Sequence, residues 1–365
     1  MIKDKCFTED WLDSFKKQAA HKRIDKGILE KMIYALHLLE QLKVNGLDFT
    51  FKGGTSLLLL LAEGNRFSID IDIICSTNRD ELEKILVKVV EISKFKSFEL
   101  DKFRSYKPGV PIAHYIFDYD SVSRTKYSGR IQLDILIEDS IYPEMIEKTV
   151  TTKWIETESD IKVTLPSVNS ITGDKLTAFA PNTVGIPYIK GKQSFAMEIC
   201  KQLFDLGKLF EQIENIEIVA DSYYRFAKKE IQYRKPEHPE LTVAQVLKDT
   251  IDTCLTITKR GRGDASEKTN FIQLQKGIVA FGSGFLMSGN FRIDDAVVAS
   301  AKVACLASKL LVSDLTPIAY YKGENIKPLD IENQDWNFLN PLKRHPDKSA
   351  FYYWYKVVQL LSTGK

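Results

Sequence analysis

Two short stretches of strict two-residue alternation, separated by a glycine pair and a run of leucines, constrain this chain more than any other feature. Leu47, Phe49 and Phe51 alternate with Asp48, Thr50 and Lys52, and Phe67, Ile69, Ile71 and Ile73 alternate with Ser68, Asp70 and Asp72. A period of two is that of a half-buried strand, so each stretch covers a core with one face and shows polar groups on the other. Gly53-Gly54 ends the first strand where the chain must turn, and glycine lets main-chain N–H groups approach a ligand closely. Thr55 or Ser56 is positioned to cap a short helix over 57–62, whose first turn would favour an anion. Strand, glycine turn and helix start together form a phosphate cradle. A Gly-Gly turn is also ordinary punctuation between a strand and a helix.

The second stretch adds chemistry. Asp70 and Asp72 fall on one strand face, roughly 7 Å apart along the backbone, where their charges repel. A cation between them would relieve that repulsion, and magnesium suits such a site because it takes hard oxygen ligands and leaves positions for substrate phosphates. A solvated face carrying two surface aspartates is the plainer alternative. Further on, Ile131, Leu133, Ile135 and Ile137 alternate with Gln132, Asp134 and Leu136. Asp134 is the one acid inside that strand. Beside the Asp70/Asp72 strand it would complete a three-carboxylate site able to polarise a phosphoryl group; on an edge strand it would face solvent.

The periodicity continues along the chain. Residues 9–43 read as helical up to an Asn45-Gly46 stop, strands fall near 47–52 and 66–74, and a helix follows from about Arg79 to Lys94. Further strands are expected near 97–104, 112–119 and 129–138, which makes a mixed sheet with helices against it, an α/β (α+β) fold. From Ser170 onward the apolar spacing is helical, interrupted near 181–193, 234–240, 260–269 and 316–346. The expected domains are therefore 1–165 and a mainly helical 166–365. With 365 residues, 44% of them hydrophobic, the chain has the composition of a soluble globular protein. No apolar run approaches the ~20 residues of a membrane span, and the N-terminus lacks the apolar core of a signal peptide. The five cysteines are scattered and never form a C-x-x-C pair, so they read as reduced thiols of a cytoplasmic protein with no zinc site. His37, on an apolar helical stripe, reads as a core residue.

A net charge of +2 conceals local basic clusters. Arg225, Lys228, Lys229, Arg234 and Lys235, with Tyr223, Tyr224 and Tyr233 among them, form one candidate RNA surface, and Lys259-Arg260-Gly-Arg262-Gly forms another. Basic groups neutralise phosphates and tyrosines stack on unpaired bases. A solvated helix face is the competing reading for each.

Lys52-Gly-Gly-Thr-Ser56, Arg66-Phe-Ser-Ile-Asp-Ile-Asp72 and the later Asp174-Lys175 resemble the motifs of the AbiEii/AbiGii toxin family, over roughly residues 30 to 210. These are nucleotidyltransferase-like toxins of abortive-infection, phage-defence toxin–antitoxin systems, within the DNA polymerase β-type superfamily. The resemblance implies a polymerase β-type core in which Gly53, Gly54, Thr55 and Ser56 cradle a triphosphate, with Arg66 and Ser68 close by. It implies that Asp70, Asp72 and Asp134 hold Mg2+ or Mn2+, that Lys175 meets the phosphates, and that a later helix contributes a basic residue and an aspartate, here Lys201 and Asp205. The substrate would be a nucleoside triphosphate (NTP). The acceptor would be the 3′ end of tRNA, whose modification blocks translation, and the cognate partner a separate antitoxin.

The chain departs from its apparent relatives at Leu57–Leu61, an unbroken leucine run where many carry a lysine or polar residue, and at the long stretch Pro181–Gln193. Neither departure removes a metal ligand. Two other readings stand beside the tRNA toxin: nucleotidyl transfer to a protein or small-molecule hydroxyl, and a nucleotide-binding module without turnover.

Overall fold

The structure, a computed structural model, describes residues 1–17, 25–61, 66–106, 109–123, 128–234, 239–287 and 289–363. Ala62, the expected last residue of the leucine helix, and Lys235, part of the first basic cluster, lie outside them. The chain forms two compact units. The first comprises residues 1–141, 145–167 and 284–289; the second comprises 142–144, 168–283 and 290–365.

The first unit is built on a seven-stranded mixed sheet. Its strands are β1 Thr50–Lys52, β2 Ile71–Ile74, β3 Phe95–Leu100, β4 Ile112–Asp120, β5 Ser128–Leu136, β6 Met145–Thr149 and β7 Lys162–Pro166. They lie in the order β3-β4-β5-β2-β1-β7-β6, with β2/β5 and β1/β7 parallel and the remaining pairs antiparallel. Alternation sets the faces: Ala113, Tyr115, Phe117 and Tyr119 of β4 and Ile131, Leu133 and Ile135 of β5 are buried. Against β5 packs the helix α2, Lys26–Val44, alongside α4, Arg79–Ile92; α1, Glu9–Lys16, and α3, Gly53–Leu60, precede and follow β1. Asp25 caps α2 by accepting from Ile28 N at 3.0 Å, and Asn78 caps α4 by accepting from Glu81 N at 3.0 Å. The Tyr34 ring of α2 stacks on Tyr119 with centroids 3.6 Å apart. His37 is buried among Phe7 and Phe95, as a core residue would be.

Several boundaries differ from the sequence reading, each for a local reason. β3 ends at Leu100, because the Asp101 carboxylate accepts from Arg104 N and starts a short helix, α5, Lys102–Ser105. The 66–74 strand pairs with its sheet neighbours only over β2. Ahead of it, Arg66 bridges Leu286 and Phe67 N donates to Phe285 O at 2.8 Å. β6 and β7 are short: Met145–Thr149 shows no clean alternation, while in β7 only Val163 and Leu165, alternating with Lys162 and Thr164, announce the strand. The leucine helix begins at Gly53, so Thr55 and Ser56 lie inside its first turn rather than at its cap.

The second unit is helical. It contains α6 Val168–Ala178, α7 Ala196–Phe210, α8 Ile216–Arg234, α9 Val243–Lys259, α10 Ala265–Gly284, α11 Ile293–Leu311 and α12 Ser349–Thr363, with a small hairpin of β8 Ile189–Lys190 and β9 Gln193–Ser194. Helix α11 packs against α7, α9 and α12, so its Ala- and Val-rich sequence is buried nearly all round. Gly173 lets α6 and α8 touch: a Cβ there would meet Tyr223 N at 2.5 Å. The stretch after α11 includes a 3₁₀ segment, Asn337–Arg344.

Candidate active site

Sheet register assembles the carboxylates. Lys52 of β1 stands opposite Asp72 of β2, Asp72 beside Asp134 of β5, and Asp134 opposite His114 of β4. Residues directly opposite one another in a sheet point to the same side, so these four form one row across four strands. The row lies on the face away from the buried alternates Phe51, Ile73, Ile135 and Ala113. Neighbouring strands lie about 4.8 Å apart, which makes Asp72 and Asp134 adjacent carboxylates in the middle of the sheet. Two positions earlier in the alternation, Asp70 is exposed at the approach to β2.

Both oxygens of Asp134 face donors. Its Oδ1 lies 2.7 Å from His114 Nδ1, and its Oδ2 accepts from Arg104 Nη2 at 3.1 Å. Arg104 is in turn steadied by Gln132, whose Oε1 accepts from Nη1 at 3.1 Å. Lys52, His114 and Arg104 were not singled out as site residues from the sequence. His114 does sit at the polar phase of an alternating strand, but only strand register reveals that it faces Asp134. Arg104 was hidden by the expectation that the strand ran through 104.

The glycine turn is pressed against this row. Gly53 has a φ of +77°, and a Cβ there would collide with the Asp72 carboxylate; one on Gly54 would collide with the Arg66 guanidinium and lie 3.0 Å from Ser68 Oγ. Gly53, Gly54, Arg66, Ser68 and Asp72 are thus gathered in one place, although they come from a helix start, an extended segment and a strand. The hydroxyls depart from expectation. Thr55 Oγ1 donates to Asp70 O at 2.5 Å and Ser56 Oγ to Gly53 O at 2.8 Å, both residues being fully buried. Thr55 braces the turn against the aspartate segment, and Ser56 closes the turn on itself. What the turn offers an anion is its main-chain N–H groups, which have no intrahelical acceptor in the first turn of a helix.

Among the described residues, no group of three or more His, Cys, Asp or Glu side chains is already gathered as a metal cluster. The donor set is still the right kind for a hard divalent cation. It is made of carboxylate oxygens, two of them on neighbouring strands in register, and the repulsion between these is what a cation would offset.

The remaining expected residues belong to the second unit. Lys175 on α6 is buried, and its Nζ donates to Asp205 Oδ2 at 2.8 Å and to Gln202 Oε1 at 3.0 Å, both on α7. Asp205 is 2% exposed, so this pair lies in the interior of the second unit. Lys201 lies 3.9 Å from Glu198 one turn back. Asp174 accepts from the Tyr142 hydroxyl.

The first basic cluster is largely committed within its own helix. Arg225 pairs with Asp221 through two 2.8 Å bonds, Arg234 pairs with Glu230, and Lys229 Nζ sits 5.4 Å from the Tyr233 ring centre. Tyr223 is fully buried with its hydroxyl donating to Val243 O, and Tyr224 donates to Leu310 O, so these two rings are packing elements and not stacking platforms. Lys228 is exposed. In the second cluster, Arg260 pairs with Asp294 while Arg262 is exposed.

Comparisons with known proteins bear on the family and the fold. A family model described as the nucleotidyl transferase AbiEii toxin of type IV toxin–antitoxin systems matches residues 37–259. Among solved structures, MenT4, a nucleotidyltransferase toxin from Mycobacterium tuberculosis H37Rv, is similar with a TM-score of 0.51 at 13% identity, over 95% of this chain and 99% of that one. A crystal structure of a candidate nucleotidyltransferase from H. pylori, 17% identical over 69% of this chain and 92% of that one, reaches a TM-score of 0.34. No curated protein matches.

Proposed function

Because the chain belongs to the AbiEii nucleotidyl transferase toxin family of type IV toxin–antitoxin systems, we propose that it moves a nucleoside monophosphate from an NTP onto the 3′ end of tRNA. That modification would stop aminoacylation and, with it, translation in the cytoplasm; a cognate antitoxin would hold the activity in check, and phage defence is the setting this suggests. The observation that carries the reading is the row Lys52–Asp72–Asp134–His114 beside the Gly53-Gly54 turn. Asp70, Asp72 and Asp134 would hold Mg2+ or Mn2+, which when bound supplies positive charge against the triphosphate. The main-chain N–H groups at Gly53 and Gly54 receive phosphate oxygens, with the Arg66 guanidinium beside them. Asp134, oriented by His114 and Arg104, aligns the acceptor hydroxyl and draws its proton as the oxygen attacks the α-phosphorus. The α–β bond then breaks and pyrophosphate leaves.

The test is to incubate the full chain with α-labelled NTPs, divalent metal and total RNA. Label should enter the tRNA fraction and fall at least about 100-fold in Asp72→Asn, the order seen when a key electrostatic group is lost. Label on protein alone, or none on RNA, would overturn the tRNA proposal.

A further inference from the structure

The end of α9 reads Lys259-Arg260-Gly261-Arg262-Gly263. Arg260 stands in the left-handed region at φ 51° and Gly261 at 78°, so the chain turns sharply and fans out three basic side chains. Within the same unit, these line a groove of about 640 Å³ together with the 3₁₀ segment carrying Phe338, Leu342 and Arg344. That volume falls in the range of small-molecule sites.

The charges in the groove are unevenly matched. Lys259 pairs with Glu267 at 2.6 Å and Arg260 with Asp294. Arg262 donates Nε to Lys259 O at 3.4 Å and Arg344 is exposed; among the described residues neither has a carboxylate within salt-bridge distance. Asp335 is the other acid of the lining. At the wall sits His345, 8% exposed. Its Nδ1 is engaged with Asp347 main-chain atoms, while its buried Nε2 has no hydrogen-bond partner, the nearest carboxylate oxygen being Asp294 Oδ1 at 3.6 Å. Phe338 leaves 41% of its surface open, with Lys259 Nζ 5.4 Å from its ring centre. Two uncompensated guanidiniums suit a phosphate, whose oxygens accept their paired N–H groups. A partly exposed aromatic ring beside them suits a nucleobase better than it suits an acidic peptide.

We propose that this groove binds a phosphorylated nucleoside, with the phosphate on Arg262 and Arg344 and the base against Phe338. The nucleotide is either free or part of a single-stranded RNA; the RNA source rests on the acceptor proposed above, whereas nucleotide recognition does not. The test uses the full chain carrying Asp72→Asn in EDTA, so that no turnover contributes. Fluorescence anisotropy of a labelled single-stranded RNA hexamer is followed, with AMP and hexaglutamate as competitors. Arg262→Ala/Arg344→Ala should weaken RNA binding at least tenfold and lower the salt slope by about one. Phe338→Leu should weaken it about fivefold or more. Both variants change exposed side chains, and unchanged circular dichroism would confirm that they fold. Displacement by AMP, lost in the same variants, identifies a free nucleotide as a sufficient ligand; failure of AMP to displace RNA assigns the site to the strand. Binding that is unaltered in every variant overturns the proposal, as does displacement by hexaglutamate at the concentration at which AMP acts. If wild-type protein labels no RNA yet the groove variants lose AMP, the acceptor reading has failed and the groove stands.

Discussion

Single residues in this chain act through what they leave out. Gly46 and Gly53 both have positive φ, 86° and 77°, but a Cβ on Gly46 meets nothing within 4 Å whereas one on Gly53 runs into Asp72. Alanine at either position carries a left-handed backbone penalty of about 1–2 kcal/mol. Only at Gly53 should it also displace a carboxylate of the site. Gly53→Ala is therefore expected to lose at least about tenfold in nucleotidyl transfer, since small misplacements of reacting groups are costly, and Gly46→Ala almost nothing. Denaturant titration should show the larger destabilisation in Gly53→Ala, which adds the collision with Asp72 to the shared backbone penalty; equal transfer rates would show that the turn does not position Asp72. The turn at Gly53-Gly54 was legible from the glycine pair and the shared strand face of Asp72 and Asp134 from alternation, whereas Asp70 lies ahead of β2. The burial of the Thr55 and Ser56 hydroxyls was not legible, because a hydroxyl that braces a turn and one that meets a ligand have the same sequence.

At the scale of elements, α6 and α7 are joined by the buried Lys175–Asp205 pair. Removing one partner takes from the other's buried charge the compensation this pair supplies, a loss of roughly 3–5 kcal/mol, while replacing both by apolar groups of similar size costs far less. Lys175→Met and Asp205→Leu should each lower the melting temperature sharply, and the double variant should regain most of it. A double variant as unstable as the sum of the singles would show that the two residues act independently. The spacing of Lys201 and Asp205 reports that they share a face of α7, but it does not register that the packing of α6 on α7 brings Lys175 to Asp205. The strand ending early at Asp101 has a similar origin: a side-chain cap competed with the sheet, and alternation alone does not register that competition.

Across the whole molecule, stability should carry the signature of its buried ionisable groups. Burial pushes His37 down to about 4 and Glu40 up to about 7. Between pH 6.5 and 4 the unfolded chain holds a proton on His37 that the folded chain refuses, so this stability is complete above pH 6.5 and lost as pH falls toward 4. Glu40 acts in the opposite sense: between about 4.5 and 7 the folded chain holds the extra proton, and stability falls as pH rises. The His37 contribution is therefore read as a difference. His37→Leu should gain roughly 2 kcal/mol relative to the parent on going from pH 7 to pH 5, by urea denaturation. A difference that does not change with pH would mean that His37 takes up its proton equally in the folded and unfolded chains. Both of its ring nitrogens lack partners among the described residues, which favours the neutral form. The sequence by itself determined which side chains lie on the polar face of each strand, where the chain turns on glycine, and that a helical region follows the sheet, because these depend on periodicities of a few residues. Only the tertiary structure decided that β2 lies between β1 and β5 with Asp72 in register with Asp134, that His114 and Arg104 hold Asp134, and that Asp205 receives Lys175. Strand order and register join residues some sixty positions apart through main-chain pairing, and main-chain groups are the same at every residue.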